Sequence, residues 1–353
     1  MGVLPARVLV DLPNWLGDVV HALPALAALA AANRRGETSA LLPAAYAPLA
    51  RLLGVEVIAR PVGAGFAWAR RRLRQRFDVV VTARHSTRAK LLLAGSGAPV
   101  RLASRGRGAA ALGLGTFAVV RSRHQRHDLD GALARLGLAP EAAAPFRLAL
   151  PDHLRRQGAR QRALLGGGPG LVAVLPATRG VQAKRYPTRH FVAVARALAD
   201  SGVTPVVVVG PGEEALALPL VAGAGARVAP TAWALDEIAA LLASCDAAVG
   251  NDSGLTHVAA AVGCPTVALF GPTAAARTAP VGGALIVHAP AAAGSGRLDQ
   301  LDPAEVVHAV SAVRAGGWAG GEPRGLRVWS GDCMIPGAGG PLAQLAEQGT
   351  LNP

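Results

Sequence analysis

The sequence predicts an α/β protein of two doubly wound domains, each a parallel sheet layered with helices, facing each other across a cleft. Three observations carry that expectation. Short runs of Val, Leu and Ala alternate with helix-length segments in both halves of the chain. Gly166-Gly167-Gly168-Pro169-Gly170 separates those halves in the manner of a hinge. Val249 to Pro272 reads as strand, polar turn, short helix and strand, a compact unit whose carboxyl edge is where open sheets bind ligands.

Taken in order, Arg7 to Leu12 forms a first buried strand, residues 13–18 (PNWLGD) turn, and Val19 to Ala32 is an Ala-rich helix. Asp18 stands at that helix start, a place for a capping carboxylate or for a base acting on a hydroxyl. Further apolar segments fall at Glu56–Ile58 and Phe77–Thr82. Between them Arg70, Arg71, Arg72, Arg74 and Arg76 form a basic run with apolar gaps. His124 and His127 are three apart, but cations surround them, so a solvated helix start is expected rather than a metal site. With 151–165 polar and helix-prone, the first domain is expected to span 1–165.

The second domain, 166–315, restarts with the strand Leu171 to Leu175 and the loop 176–187. Lys184 in that loop suits a diphosphate as a point charge or is a solvated loop cation, and Thr178 in the same loop is a second candidate. A helix over Thr188–Asp200 and a strand over Thr204–Val209 follow. Gly210-Pro211-Gly212-Glu213-Glu214 resembles a dinucleotide fingerprint, but its glutamates would repel a pyrophosphate and no acidic residue stands about twenty positions on. Glu213 is left as either a partner for ribose or base, or a helix-start charge. After the helix Leu235–Ala243, the turn Gly250-Asn251-Asp252-Ser253-Gly254 opens a helix over Leu255–Val262, with His257 one turn in. The helix amino end favours a diphosphate there, with Asp252, Ser253 and Gly254 at its mouth. His257 fits either a ligand contact or a core polar group. The strands Thr266–Phe270 and Leu285–Val287 and the helix Pro303–Val313 close the domain, and residues 316–353 form a Gly/Pro-rich extension.

The 353 residues are 51% hydrophobic but only 4% aromatic, so the cores are built from Ala, Val and Leu. No apolar run reaches the ~18–20 residues of a membrane helix, and the start does not read as a signal peptide. Three cysteines without metal-ligand pairing suit a reduced, cytoplasmic protein. Residues 1–165 hold 25 Lys+Arg against 9 Asp+Glu, a charge of +16, while 166–353 hold 11 against 13. That asymmetry calls for an anionic partner. Nucleic acid is disfavoured, because the few aromatics of the first half do not interleave with the Arg70–Arg76 run to stack bases.

Residues 13–26 (PNWLGDVVHALPAL), 175–187 (LPATRGVQAKRYP) and 235–273 together resemble the ADP-heptose:lipopolysaccharide heptosyltransferases of glycosyltransferase family 9, in register over about 7–315. The first motif is nearer to the enzymes that add the second inner-core heptose. The resemblance implies a GT-B fold, two Rossmann-like domains, with the lipid-linked acceptor on the first and ADP-heptose on the second. It places the catalytic base on Asp18 and donor contacts on Thr178, Lys184, Glu213, Asp252, Ser253, Gly254 and His257. It further implies inverting transfer with no metal and no cofactor beyond the donor, in agreement with the lack of an Asp-x-Asp pair in a donor loop. The arginine run then meets an anionic lipid-linked oligosaccharide acceptor at the cytoplasmic face of the inner membrane, with the enzyme peripheral and monomeric. A family 9 enzyme using another nucleotide sugar or glycan acceptor is the near alternative. Tyr186 replaces the family's usual Trp, and an expected Cys-containing loop before the last helix is missing.

Overall fold

The computed structural model describes residues 7–34, 36–139, 146–168, 170–178, 184–289 and 296–315, and the backbone of strands at 327–330 and 333–334. Two compact units divide the chain, Met1–Ala144 and Pro145–Pro353. The first comprises β1 (Arg7–Asp11), α1 (Leu16–Ala32), β2 (Glu37–Leu42), α2 (Ala47–Arg51), β3 (Glu56–Ala59), α3 (Phe66–Arg72), β4 (Val79–Thr82), α4 (Thr87–Ser96), β5 (Val100–Ser104), β6 (Gly115–Phe117) and α5 (Asp130–Arg135). The second comprises α6 (Asp152–Leu164), β7 (Leu171–Leu175), α7 (Thr188–Asp200), β8 (Thr204–Val207), α8 (Leu218–Ala224), β9 (Arg227–Val228), α9 (Leu235–Ser244), β10 (Ala247–Asn251), α10 (Gly254–Ala261), β11 (Thr266–Phe270), α11 (Ala275–Thr278), β12 (Leu285–His288), α12 (Pro303–Arg314), β13 (Arg327–Ser330) and β14 (Cys333–Met334).

The division falls at 144/145, not at the expected 165/166. The reason is α6. A Cβ on Gly158 would lie 2.2 Å from the Ala240 carbonyl oxygen, so only glycine lets α6 approach α9 this closely. Gln157 Nε2 donates to Glu237 Oε1 (2.6 Å), and Arg162 binds both Asp246 oxygens (3.0 and 2.8 Å). Moving the boundary redistributes charge: residues 1–144 hold 20 Lys+Arg against 8 Asp+Glu, or +12, and 145–353 hold 16 against 14. The excess stays in the first unit.

The first sheet has the order β3-β2-β1-β4-β5-β6, with every pairing parallel. In the second, β12-β11-β10-β7-β8-β9 repeats that order, and β13 and β14 extend the β12 edge. Each is therefore a doubly wound sheet with a topological switch point, at β1/β4 in one and β7/β10 in the other. Buried strands such as Leu171–Leu175 need apolar side chains on both faces, and this one is buried throughout. Helix α7 turns Phe191, Val194, Ala195 and Leu198 inward, a helical stripe packed on Val172, Val174 and Val207. In the first unit Leu9, Val80, Leu92 and Leu93 share a core with Leu73 and Phe77.

Candidate active site

The second sheet's switch point is built by the stretch that the sequence singled out. Gly250, the penultimate residue of β10, has no room for a side chain, since a Cβ would lie 2.6 Å from Leu175 Cβ and 2.7 Å from Thr256 Oγ1. Next to it, the fully buried Asn251 uses both ends of its amide. Its Nδ2 donates to the Pro176 carbonyl (2.7 Å), and its Oδ1 accepts the Tyr186 amide (2.9 Å). Asn251 thus staples the two ends of the loop that carries Thr178 and Lys184. Tyr186, fully buried, anchors the far end through its hydroxyl, which donates to the Leu301 carbonyl (3.2 Å).

Asp252 is the centre of the cluster. Lys184 Nζ lies 2.9 Å from its Oδ2, Thr273 Oγ1 donates to the same oxygen (3.0 Å), and His257 Nε2 sits 3.3 Å from Oδ1. Burial favours the neutral acid, but the hydrogen bonds and charges of His257 and Lys184 outweigh it and hold the carboxyl at about 2. Helix α10 starts immediately beyond. Ser253 occupies its N-cap position without a side-chain capping bond, so the first-turn amides keep their capacity for an anion. Lys184, Asp252, Ser253, Gly254 and His257 are therefore brought together. Thr178, buried just past β7, and Glu213, past β8, follow neighbouring strands of the same edge. Glu213 Oε2 accepts the Gly210 amide (3.0 Å), which draws the carboxylate back onto its own loop.

At the first sheet's switch point, Asp11 is fully buried beneath two buried arginines, Arg60 and Arg84. Arg60 also donates to the carbonyls of Leu12 (2.7 Å), Leu41 (3.2 Å) and Pro13 (3.2 Å) and to Asn14 Oδ1 (2.6 Å). One guanidinium thereby fixes the loop entering α1, although burial pulls its pKa below the ordinary value. Trp15, not Asp18, holds the N-cap position of α1. Asp18 lies in the first turn, and its Oδ1 accepts a hydrogen bond from Gln125 Nε2 (2.8 Å).

The basic run behaves as an outer face. Arg70, Arg71, Arg72, Arg74 and Arg76 are exposed, while Ala69 and Leu73 point into the core. His124 begins a helical turn by accepting the Arg126 amide (3.2 Å), and His127 pairs with Asp130 (3.0 Å), which also binds Arg123 (3.2 Å). Among the described residues, no group of three or more metal-ligating side chains converges. Sequence reasoning missed Arg60, Gln125, Asn251 and Thr273. Only Asn251, adjacent to the Asp252 turn, carried a local signal; the others act across separations of 19 to 107 residues.

Twin doubly wound units define the GT-B class of glycosyltransferase, here with a carboxylate in a helix turn of one and an anion-ready helix end beside a lysine in the other. The model of glycosyltransferase family 9 (heptosyltransferase) matches residues 67–293, and the chain belongs to that family. It is 28% identical over 299 residues to lipopolysaccharide heptosyltransferase 2 of Escherichia coli K12, covering 78% of this chain and 85% of that protein. The solved structure of the E. coli ADP-heptose lipopolysaccharide heptosyltransferase II matches with a TM-score of 0.77 at 24% identity, over 89% of this chain and 100% of that one. A family 9 glycosyltransferase from Veillonella parvula gives 0.78 at 19% identity, over 89% and 99%. At such identities the solved structures speak for the fold.

Proposed function

We propose that this protein transfers heptose from ADP-heptose to the inner core of lipopolysaccharide, inverting the anomeric centre and using no metal. The observation that carries the reading is the cluster of Lys184, Asp252 and His257 at the uncapped amino end of α10. It supplies one cation and a row of oriented amides, the two devices that seat a diphosphate. Family membership and the likeness to heptosyltransferase 2 favour ADP-heptose as donor and a core that already carries one heptose as acceptor.

In this mechanism the acceptor hydroxyl attacks the anomeric carbon as the bond to ADP breaks. Asp18 takes the hydroxyl proton. Lys184 and the α10 amides stabilise the charge growing on the departing diphosphate, the electrostatic work a divalent ion does in other transferases. The exposed arginines of α3 and the segment after it meet acceptor phosphates and carboxylates at an anionic membrane surface, where the enzyme docks peripherally on the cytoplasmic side. No helix among the described residues is long and apolar enough to cross a membrane.

ADP release from ADP-heptose tests the reading, measured without acceptor, with heptose-deficient core lipopolysaccharide and with core bearing one heptose. Acceptor-dependent release with one of the cores is expected. Release with neither core would overturn the reading.

A further inference from the structure

We infer that Gln125 is a positioning residue for the Asp18 carboxylate, dedicating Oδ1 to a protein hydrogen bond so that Oδ2 is presented to the acceptor hydroxyl. This rests on the reading of Asp18 as the base. The bond joins residues 107 positions apart at 2.8 Å and is partly shielded from solvent. Its polarity is fixed by chemistry. A carboxylate accepts only, so the nitrogen of the Gln125 amide must face Asp18 and its oxygen must face away.

The segment around Gln125 is built to hold that amide still. It lies on a 3-10 turn, Gln125–Leu129, that runs directly into α5. His124, at the N-cap position, sets its ring edge-on against buried His21 of α1, with centroids 5.1 Å apart. On the other side Arg126 and Leu129 are buried, and Asp130 ties back to His127 and Arg123. Helix α1, which carries Asp18, and the turn that carries Gln125 are therefore packed against each other next to the bond. Arg60 in turn fixes the loop that enters α1. Asp18 is held at its backbone by one device and at its carboxylate by the other. A base that must meet a hydroxyl within hydrogen-bond reach gains from such restraint, because small misplacements cost turnover steeply.

The test uses the full-length enzyme with ADP-heptose and its core acceptor. Gln125→Ala should lower kcat on the order of 10- to 100-fold, with KM for both substrates and the affinity for ADP within about twofold of wild type. Gln125→Glu is the decisive companion. It keeps the shape but sets an oxygen where the donor stood, so it should be at least as slow as the alanine variant; a residue needed only for packing would be rescued by it. In an Asp18→Asn background, Gln125→Ala should cost nothing further. A kcat within twofold of wild type for either Gln125 variant, or a loss confined to KM, overturns the inference while an inactive Asp18→Asn leaves the catalytic reading standing. Wild-type turnover in Asp18→Asn removes the reading and the inference together.

Discussion

Lys184→Ala tests the proposed role of this side chain as the charge that meets the donor's diphosphate. The ammonium is a quarter exposed and lies 2.9 Å from Asp252, so in the free protein it is already partly neutralised. A unit charge about 4 Å from a phosphate contributes about 4 kcal/mol at an effective dielectric constant near 20. Competition from Asp252 and water at the exposed edge reduce that to about 2 kcal/mol, or roughly 30-fold in Kd. Calorimetric titration with ADP should show this weakening. Titration with adenosine should not, because the lost interaction is with phosphate alone. An ADP affinity within twofold of wild type, or an equal loss with adenosine, would refute the assignment of Lys184 to the diphosphate.

Other outcomes follow from the same cluster and from the basic face. Asn251→Ala strands the Tyr186 amide and the Pro176 carbonyl, so it should cost about 2–4 kcal/mol in urea unfolding and weaken ADP binding as well. The folded-state pKa of Asp252, about 2, lies below its ordinary value of about 3.9. Its ionisation therefore stabilises the fold fully above pH ~4, and about 2 kcal/mol is lost as pH falls from there through about 2. Urea midpoints across that window should show the loss, and Asp252→Asn should flatten it. Replacing Arg70, Arg71 and Arg72 by Glu should abolish co-sedimentation with vesicles rich in anionic lipid at low salt, while ADP binding stays unchanged. Binding of the wild-type protein that ignores ionic strength would argue against docking through this face.

What the sequence disclosed and what it hid have physical reasons. Strands β1, β7, β10 and β11 are buried on both faces, so they read directly as apolar runs. Helices α7 and α12 show their inward stripes at helical spacing. The turn at 250–254 was legible because Gly, Asp and Ser sit together before a helix. Strand β2 was not, because its polar Thr38 and Ser39 are buried and only distant partners make that tolerable. Asn33 Nδ2 donates to Thr38 Oγ1 (3.2 Å), and Ser39 Oγ donates to Glu56 Oε2 (2.8 Å). Helix α6 read only as polar and helix-prone, and was assigned to the first domain, because the residues it buries include Gly158 and Gln161, neither of which announces a packed face. The bare location of Asp18 was readable, whereas its hydrogen-bond partner was not, since no local pattern points from residue 18 to residue 125.

The chain contains 34 arginines but only two lysines, Lys90 and Lys184. Lys90 is buried and donates to the Arg107 carbonyl (2.9 Å). Side-chain amines are therefore nearly absent from the surface, and an acylating reagent finds its accessible lysine target in Lys184. On the proposed reading of Lys184 as a diphosphate contact, bound nucleotide should shield that amine, and mass spectrometry after brief acylation would read the fraction of molecules loaded.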